Sequence, residues 1–272
     1  MMFWLEIILL GLLFFIVYKY QRDWVPVRPS FYQKGELVKI GHRGASALAH
    51  ENTVASFIKA VETGMTGVEL DVQYSADKQL VVFHDWELKN WNGYTKKIET
   101  MPYSEIKEIS LNEDEIFKIP LLEEVLNVLS KNCIINIEIK SGYILNTGIE
   151  KNVLNILNNH NFEQNCIISS FNPVILCRIQ KLNPNILTAF LWSKTDPQFI
   201  LNSPLWVWLC RPDAFHADIA FLEEKLMHWI RRKKMSVLTF TIKNKSDLSK
   251  AKHLGVDGII MDDPYLNYSS SD

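Results

Sequence analysis

Gly67-Val68-Glu69-Leu70-Asp71-Val72 sets two carboxylates into an apolar run that reads as a buried strand. Residues two apart on a strand point to the same face, so Glu69 and Asp71 share one. Two carboxylates on one buried face repel each other unless a cation sits between them. Four further stretches have the same character: Gly41-His42-Arg43-Gly44, Glu51-Asn52-Thr53, His84-Asp85 and Glu138-Ile139-Lys140. His42 follows the apolar run 37–40, and Glu138 closes the run 133–138. Lys140 stands two residues beyond Glu138 and shares its face. Strands that end in His, Glu, Asp or Lys deliver those groups to one end of a sheet. In a (β/α)8 barrel that end is the active-site face.

Outward from these stretches, strand-like and helix-like runs alternate. The strand-like runs are 37–40, 67–72, 133–138, 166–169, 186–191, 213–216, 236–240 and 258–261. The helix-like runs are 53–63, 121–129, 147–159, 173–181, 221–234 and 246–254, with a poorly patterned one at 197–202. Asn52 is the expected N-cap of the first. Alternation of this kind implies a parallel sheet, and eight strands close it into a TIM (β/α)8 barrel. A short apolar run, 80–83, precedes His84. Residues 86–118 are polar and lack a clear period, with Asn92-Gly93 as a turn. They are too long for an ordinary βα loop and predict a lid or small insertion after the second strand.

Residues 36–272 are about the size of one such barrel, so a single catalytic domain is expected there. Hydrophobic residues make up 47% of the chain and charged ones 22%, which excludes a disordered chain. The net charge of −2 provides no basic field for nucleic acid, so any phosphate recognition is local. The four cysteines, Cys133, Cys166, Cys177 and Cys210, form no C-x-x-C pair and read as buried free thiols. Residues 1–20 stand apart. The run 7–18 carries no charge, Glu6 precedes it, and Lys19 and Arg22 follow. That is marginal for a span, which usually needs about 20 apolar residues. A cleavable signal peptide fits poorly, because positive charge before the run and small residues after it are both missing. The expectation is an uncleaved membrane-anchor helix. Lys19, Arg22, Arg28 and Lys34 all follow it, which places the barrel in the cytoplasm. Residues 21–35, with Pro26 and Pro29, read as a short stiff linker.

The side chains gathered at the strand ends suit one kind of chemistry. Imidazole is the natural proton carrier near neutral pH, which marks His42 and His84. The flanking glycines allow a ligand to approach the His42 backbone closely. Arg43 has a planar fork that matches phosphate oxygens. Glu51 is placed to orient His42 or Arg43, and Lys140 to bind phosphate or balance Glu138. Glu69, Asp71 and Glu138 offer oxygen only, which indicates Mg²⁺ or Ca²⁺ over Zn²⁺. The duller alternatives are a hydrogen-bonded core histidine, a surface ion pair at Arg43 and a pair of solvated strand-end acids. Taken together, the set points to metal-assisted cleavage of an anionic substrate, most simply a phosphodiester.

At these residues the sequence resembles the glycerophosphodiester phosphodiesterase family. The pattern runs G-H-R-G, E-N-T, E-L-D-V, V-V-F-H-D, I-P-L-L-E-E-V-L, N-I-E-I-K and, late, G-V-D-G-I-I, across about residues 36–265. The resemblance implies a TIM barrel with a small insertion. It implies one divalent metal on Glu69, Asp71 and Glu138, and His42 with His84 as acid and base. Arg43 and Lys140 would hold the phosphate, with Glu51 in support. Two departures touch substrate fit. Phe240-Thr241-Ile242-Lys243 stands where the family usually reads W-T-V-N, so Phe240 keeps an aromatic wall but lacks the indole N–H. Met261-Asp262-Asp263-Pro264 stands where it usually reads T-D-x-P. The expected reaction releases an alcohol and glycerol 3-phosphate from a glycerophosphodiester. A membrane-tethered lysophospholipase D would share the chemistry, with Trp86, Trp91 and Tyr94 near an acyl chain. A barrel that binds a phosphoester without turning it over is the rival of another class.

Overall fold

The apolar run holding Glu69 and Asp71 is a barrel strand in a computed structural model that describes residues 6, 11, 24–32, 36–91, 94–111, 117–142, 145, 147–195 and 203–266. Eight strands carry the barrel: β1 (Val38–Gly41), β2 (Gly67–Tyr74), β3 (Ile134–Ile139), β4 (Cys166–Ser170), β5 (Leu187–Trp192), β6 (Ala214–Asp218), β7 (Ser236–Ile242) and β8 (Gly258–Met261). Each pairs in parallel with its neighbours in sequence order, and β1 pairs with both β8 and β2, which closes the ring. Every strand-like run read from the sequence falls on one of these strands. They are legible because parallel strands are covered on both faces and so are apolar nearly throughout.

Among the described residues a helix follows each of the first seven strands: α1 (Val54–Glu62), α2 (Leu122–Val128), α3 (Ile149–Asn159), α4 (Pro173–Leu182), the single turn α5 (Val207–Cys210), α6 (Glu224–Arg232) and α7 (Lys245–Leu254). They bury one stripe each. On α1 that stripe is Ser56, Phe57 and Ala60, while Lys59 and Glu62 face water. Each large apolar side chain so buried contributes about 1.5–3 kcal/mol. The N-cap of α1 is Thr53, whose hydroxyl accepts from the Ser56 N–H at 3.3 Å; Asn52 is engaged elsewhere. The helix expected at 197–202 lies outside the described residues, as does the N-terminal hydrophobic helix apart from residues 6 and 11. Among the described residues no helix is long and apolar enough to cross a membrane.

Two regions differ from the sequence reading. Between 86 and 118 the described residues include regular elements where the sequence reads as irregular. Glu87–Trp91 and Tyr94–Lys97 pair antiparallel, and a one-turn helix, Tyr103–Ile106, follows; the turn expected at Asn92-Gly93 lies outside the described residues. Leu88, Ile98, Met101, Ile106, Ile109 and Ile119 give this insertion a core of its own, against Val81. Residues 112–116 within it lie outside the described residues. Residues 24–32 do not stand off as a spacer. They lie across the end of the barrel where strands begin. Tyr32 is 3% exposed and plugs the bore beside Val38, Ile134, Ala214 and Leu238.

Candidate active site

The site is built at the opposite end, where the strands finish. β2 is long, and its last residues pair antiparallel with the short strand Leu80–Val82, in register Val72↔Val82 and Tyr74↔Leu80. That return strand carries His84 back to the barrel mouth. The buried Gln73 secures it, donating Nε2–H to the carbonyls of Phe83 at 2.7 Å and Asp85 at 2.9 Å, one on each side of His84. β2 and β3 set Asp71 directly opposite Glu138. One oxygen from each of Glu69, Asp71 and Glu138 lies within 4.8 Å of the others.

These carboxylates are strained by their setting. Burial pushes the Glu69 carboxyl well up, and the charges of Asp71 and Glu138 push it further. Burial likewise raises Glu138. Burial would raise Asp71 as well, but Lys140, Arg43, His84 and Asn52 together hold it below the usual range. Asn52 donates to Asp71 Oδ2 at 2.8 Å and accepts from the Asp71 backbone N–H at 3.3 Å. Three converging acid oxygens, two of them on groups that burial pushes toward protonation, fit a hard divalent cation.

The cations frame this cluster. Lys140, 10% exposed, lies 3.5 Å from Glu138 and 3.6 Å from Asp71. Arg43 donates its backbone N–H to Glu69 at 2.9 Å and Nη1–H to Glu51 at 2.7 Å, while its Nε lies 3.4 Å from Asp71. Glu51 therefore orients Arg43 and not His42. Arg43 holds a left-handed backbone, φ 55°, rare for a side chain of its size and the kind of strain found at ligand sites. The glycines beside it serve the turn itself. A Cβ on Gly41 would meet the Gly44 carbonyl at 2.6 Å, and one on Gly44 would run into Ser56 of α1. The close approach seen here is by the protein itself, through the Gly44 carbonyl and Ser56.

Each histidine is held by a carboxylate. His42 donates Nδ1–H to Asp262 at 2.6 Å, and Ser46 Oγ–H reaches the same oxygen at 3.2 Å. His84 donates Nδ1–H to Asp85 at 2.8 Å. Both pairings leave Nε2 for a substrate. Burial pushes the Asp262 carboxyl up, yet the His42 hydrogen bond and charge hold it below the usual range. Beside these groups opens a cleft of about 430 Å³, lined by His84, Trp86, Glu138, Lys140, Phe171, Asp218 and Phe240 among others. Phe240 forms one wall, edge to face with Phe171 at 6.2 Å.

Residues 42–266 match the model of the glycerophosphoryl diester phosphodiesterase family. The chain belongs to that family. It is therefore a phosphoric diester hydrolase. A glycerophosphodiester phosphodiesterase of Caldanaerobacter subterraneus subsp. tengcongensis is 34% identical over 233 residues, which cover 83% of this chain and 93% of that one. The structure of an Oleispira antarctica phosphodiesterase, in complex with sn-glycerol-3-phosphate, is similar at a TM-score of 0.71 and 28% identity, over 86% of this chain and 96% of that one. A human lysophospholipase D is 32% identical over 162 residues, 56% of this chain and 50% of that one.

All nine residues singled out from the sequence for this phosphodiesterase fold gather at one mouth: His42, Arg43, Glu51, Glu69, Asp71, His84, Glu138, Lys140 and Phe240. Sequence reasoning missed Asn52, Gln73 and Asp262. Asn52 stood in a quoted motif but read as a helix cap. Asp262 stood in a quoted motif without a partner. Gln73 carried the one usable signal, since it continues the alternation of Glu69 and Asp71 along one face of β2. Trp86, 43% exposed, sits at the rim with Lys140 5.8 Å above its ring. The side chains of Trp91 and Tyr94 lie outside the described residues.

Proposed function

We propose that the enzyme hydrolyses glycerophosphodiesters to an alcohol and glycerol 3-phosphate, with His42 and His84 moving the protons. One observation carries this reading. Two imidazoles, each with Nδ1 on its own carboxylate, stand at the same mouth as three converging acids. One Nε2 takes the proton of the attacking oxygen while the other returns a proton to the departing alcohol oxygen. The bond from phosphorus to that oxygen breaks as the bond to the attacker forms. The attacker is water or the substrate's own glycerol hydroxyl, and the second route passes through a cyclic phosphate.

Glu69, Asp71 and Glu138 would hold one divalent cation, Mg²⁺ or Ca²⁺. Bound there, it supplies Lewis-acid neutralisation of the phosphate charge. Lys140 and Nη2 of Arg43 bind phosphate oxygens, with Glu51 on Nη1 and Asp71 near Nε fixing the guanidinium. Phe240 and Phe171 wall the glycerol end. The product seen in the Oleispira structure supports this substrate class. The test is a product analysis of the full chain on glycerophosphocholine, glycerophosphoethanolamine and glycerophosphoinositol. Glycerol 3-phosphate is the expected common product. Release of phosphocholine from the first would place cleavage at the other ester bond and overturn the assignment.

A second reading is lysophospholipase D activity, favoured by the human relative. We also propose residues 1–20 as an uncleaved anchor ahead of the catalytic domain, which lies in the cytoplasm by the excess of Lys and Arg after the run.

A further inference from the structure

Residues 24–32 fix the end of the barrel from which the N-terminal run leaves. The Val27 N–H donates to Asp213 at 2.9 Å, and Arg28 pairs with Asp257 at 2.7 Å. Asp213 and Asp257 directly precede β6 and β8, so both contacts lie at the end opposite the site. The uncharged run 7–18 stops five residues short of Trp24.

The same end exposes apolar side chains. Val25 is 70% exposed, Val27 56%, Leu182 52% and Trp208 40%. Cations accompany them, because the helices end here. Lys181, Arg232, Lys234 and Lys252 are exposed at or just past helix C-termini, where the helix dipole favours positive charge. Lys233 Nζ lies 3.4 Å above the Trp208 ring and 5.6 Å from that of Trp24. Tryptophan rings, aliphatic tips and long cationic side chains in one layer suit the headgroup zone of a bilayer.

We propose that this end of the barrel rests on the membrane that anchors the chain, so that the active site opens away from the bilayer. The substrate class that follows is a diffusible glycerophosphodiester, not a lysolipid drawn from that membrane. The inference rests on residues 1–20 acting as an anchor and, for the substrate, on the hydrolytic reading above. Reach supports it. The six steps from Tyr18 to Trp24 span about 20 Å at full extension. Climbing the flank of α6 alone takes about 14 Å of that, which leaves too little to lay the mouth on lipid.

The test reads which end touches lipid. In a Cys177→Ser background, Leu182→Cys and Leu145→Cys carry a fluorophore at the two ends, and the full chain is reconstituted into vesicles holding nitroxide-headgroup lipid. The Leu182→Cys label is expected to be quenched at least about threefold more than the Leu145→Cys label, because the barrel's thickness exceeds contact range. Equal quenching, or stronger quenching at Leu145→Cys, overturns the orientation. A chain that fails to float with vesicles removes the anchor and the orientation together. Glycerol 3-phosphate release from glycerophosphocholine by the same preparation tests hydrolysis separately. Lysophosphatidylcholine in the anchoring vesicle should turn over about tenfold or more slowly than glycerophosphocholine, since a site the tether cannot deliver gains no effective concentration. Preference for the lysolipid in that arm overturns the substrate assignment.

Discussion

Asp262→Asn and Asp85→Asn remove the same kind of contact, and their costs should differ widely. Each carboxylate accepts Nδ1–H from a histidine, Asp262 at 2.6 Å from His42 and Asp85 at 2.8 Å from His84. Their surroundings differ. The Asp262 and His42 side chains are 32% and 20% exposed, whereas Asp85 and His84 are 57% and 34% exposed. A hydrogen bond to a charged group shielded from water contributes about 1.5–3 kcal/mol. Carried into the transition state, that loss slows turnover about 10- to 150-fold for Asp262→Asn. An exposed pair contributes about 0–1 kcal/mol, so Asp85→Asn slows it by about fivefold at most. The assay is kcat and KM on glycerophosphocholine at saturating cation, with melting temperature as the control for folding. The loss at Asp262 should fall on kcat, since the carboxylate orients the proton carrier and does not touch substrate. Equal losses at the two positions, or the larger one at Asp85, would refute the assignment of Asp262 as the group that positions His42.

His42→Ala and His84→Ala should each lower kcat by about two orders of magnitude or more while the fold survives, and near-normal turnover in a folded variant would remove that histidine from proton transfer. Gln73→Ala frees the Phe83 and Asp85 carbonyls, so it should cost about 1–3 kcal/mol in urea unfolding and slow turnover by loosening His84; unchanged values on both would show that the clamp is idle. His216 is fully buried on β6 with neither ring nitrogen hydrogen-bonded, and burial pushes it down to about 3. The unfolded chain takes up that proton near pH 6.5, so the stability involved is whole above about 6.5 and is lost as pH falls toward 3. The loss from this site between pH 7 and 4 is about 3 kcal/mol. His216→Leu should flatten the acid limb of the stability curve by that amount, and an unchanged limb would contradict it.

How much of this was legible follows from where each residue's partner lies. The barrel strands were readable one by one because burial on both faces leaves continuous apolar runs. His42, Glu69, Asp71, His84, Glu138 and Lys140 were readable because polar groups interrupt or end those runs. Asn52 was misread because a polar residue just before a helix looks like a cap, while its partner Asp71 stands 19 residues on. Asp262 lies 220 residues from His42, and only ring closure between β1 and β8 brings them together. The insertion hid its strand pair because Leu88, Ile98, Met101 and Ile106 follow neither the strand nor the helix period. The strap 24–32 looked like a spacer because proline content is local, whereas Tyr32 in the bore and Arg28 on Asp257 are tertiary contacts.

Glu69, Asp71 and Glu138 are proposed to bind one divalent cation on which hydrolysis depends. Calorimetric titration of the chelator-stripped protein with Mg²⁺ or Ca²⁺, followed in parallel by glycerol 3-phosphate release, addresses it directly. The expected result is a single site per chain with activity rising in step with occupancy, and with both lost or sharply weakened in Glu69→Gln. Full turnover in excess EDTA, or cation binding unaffected by Glu69→Gln, would contradict it.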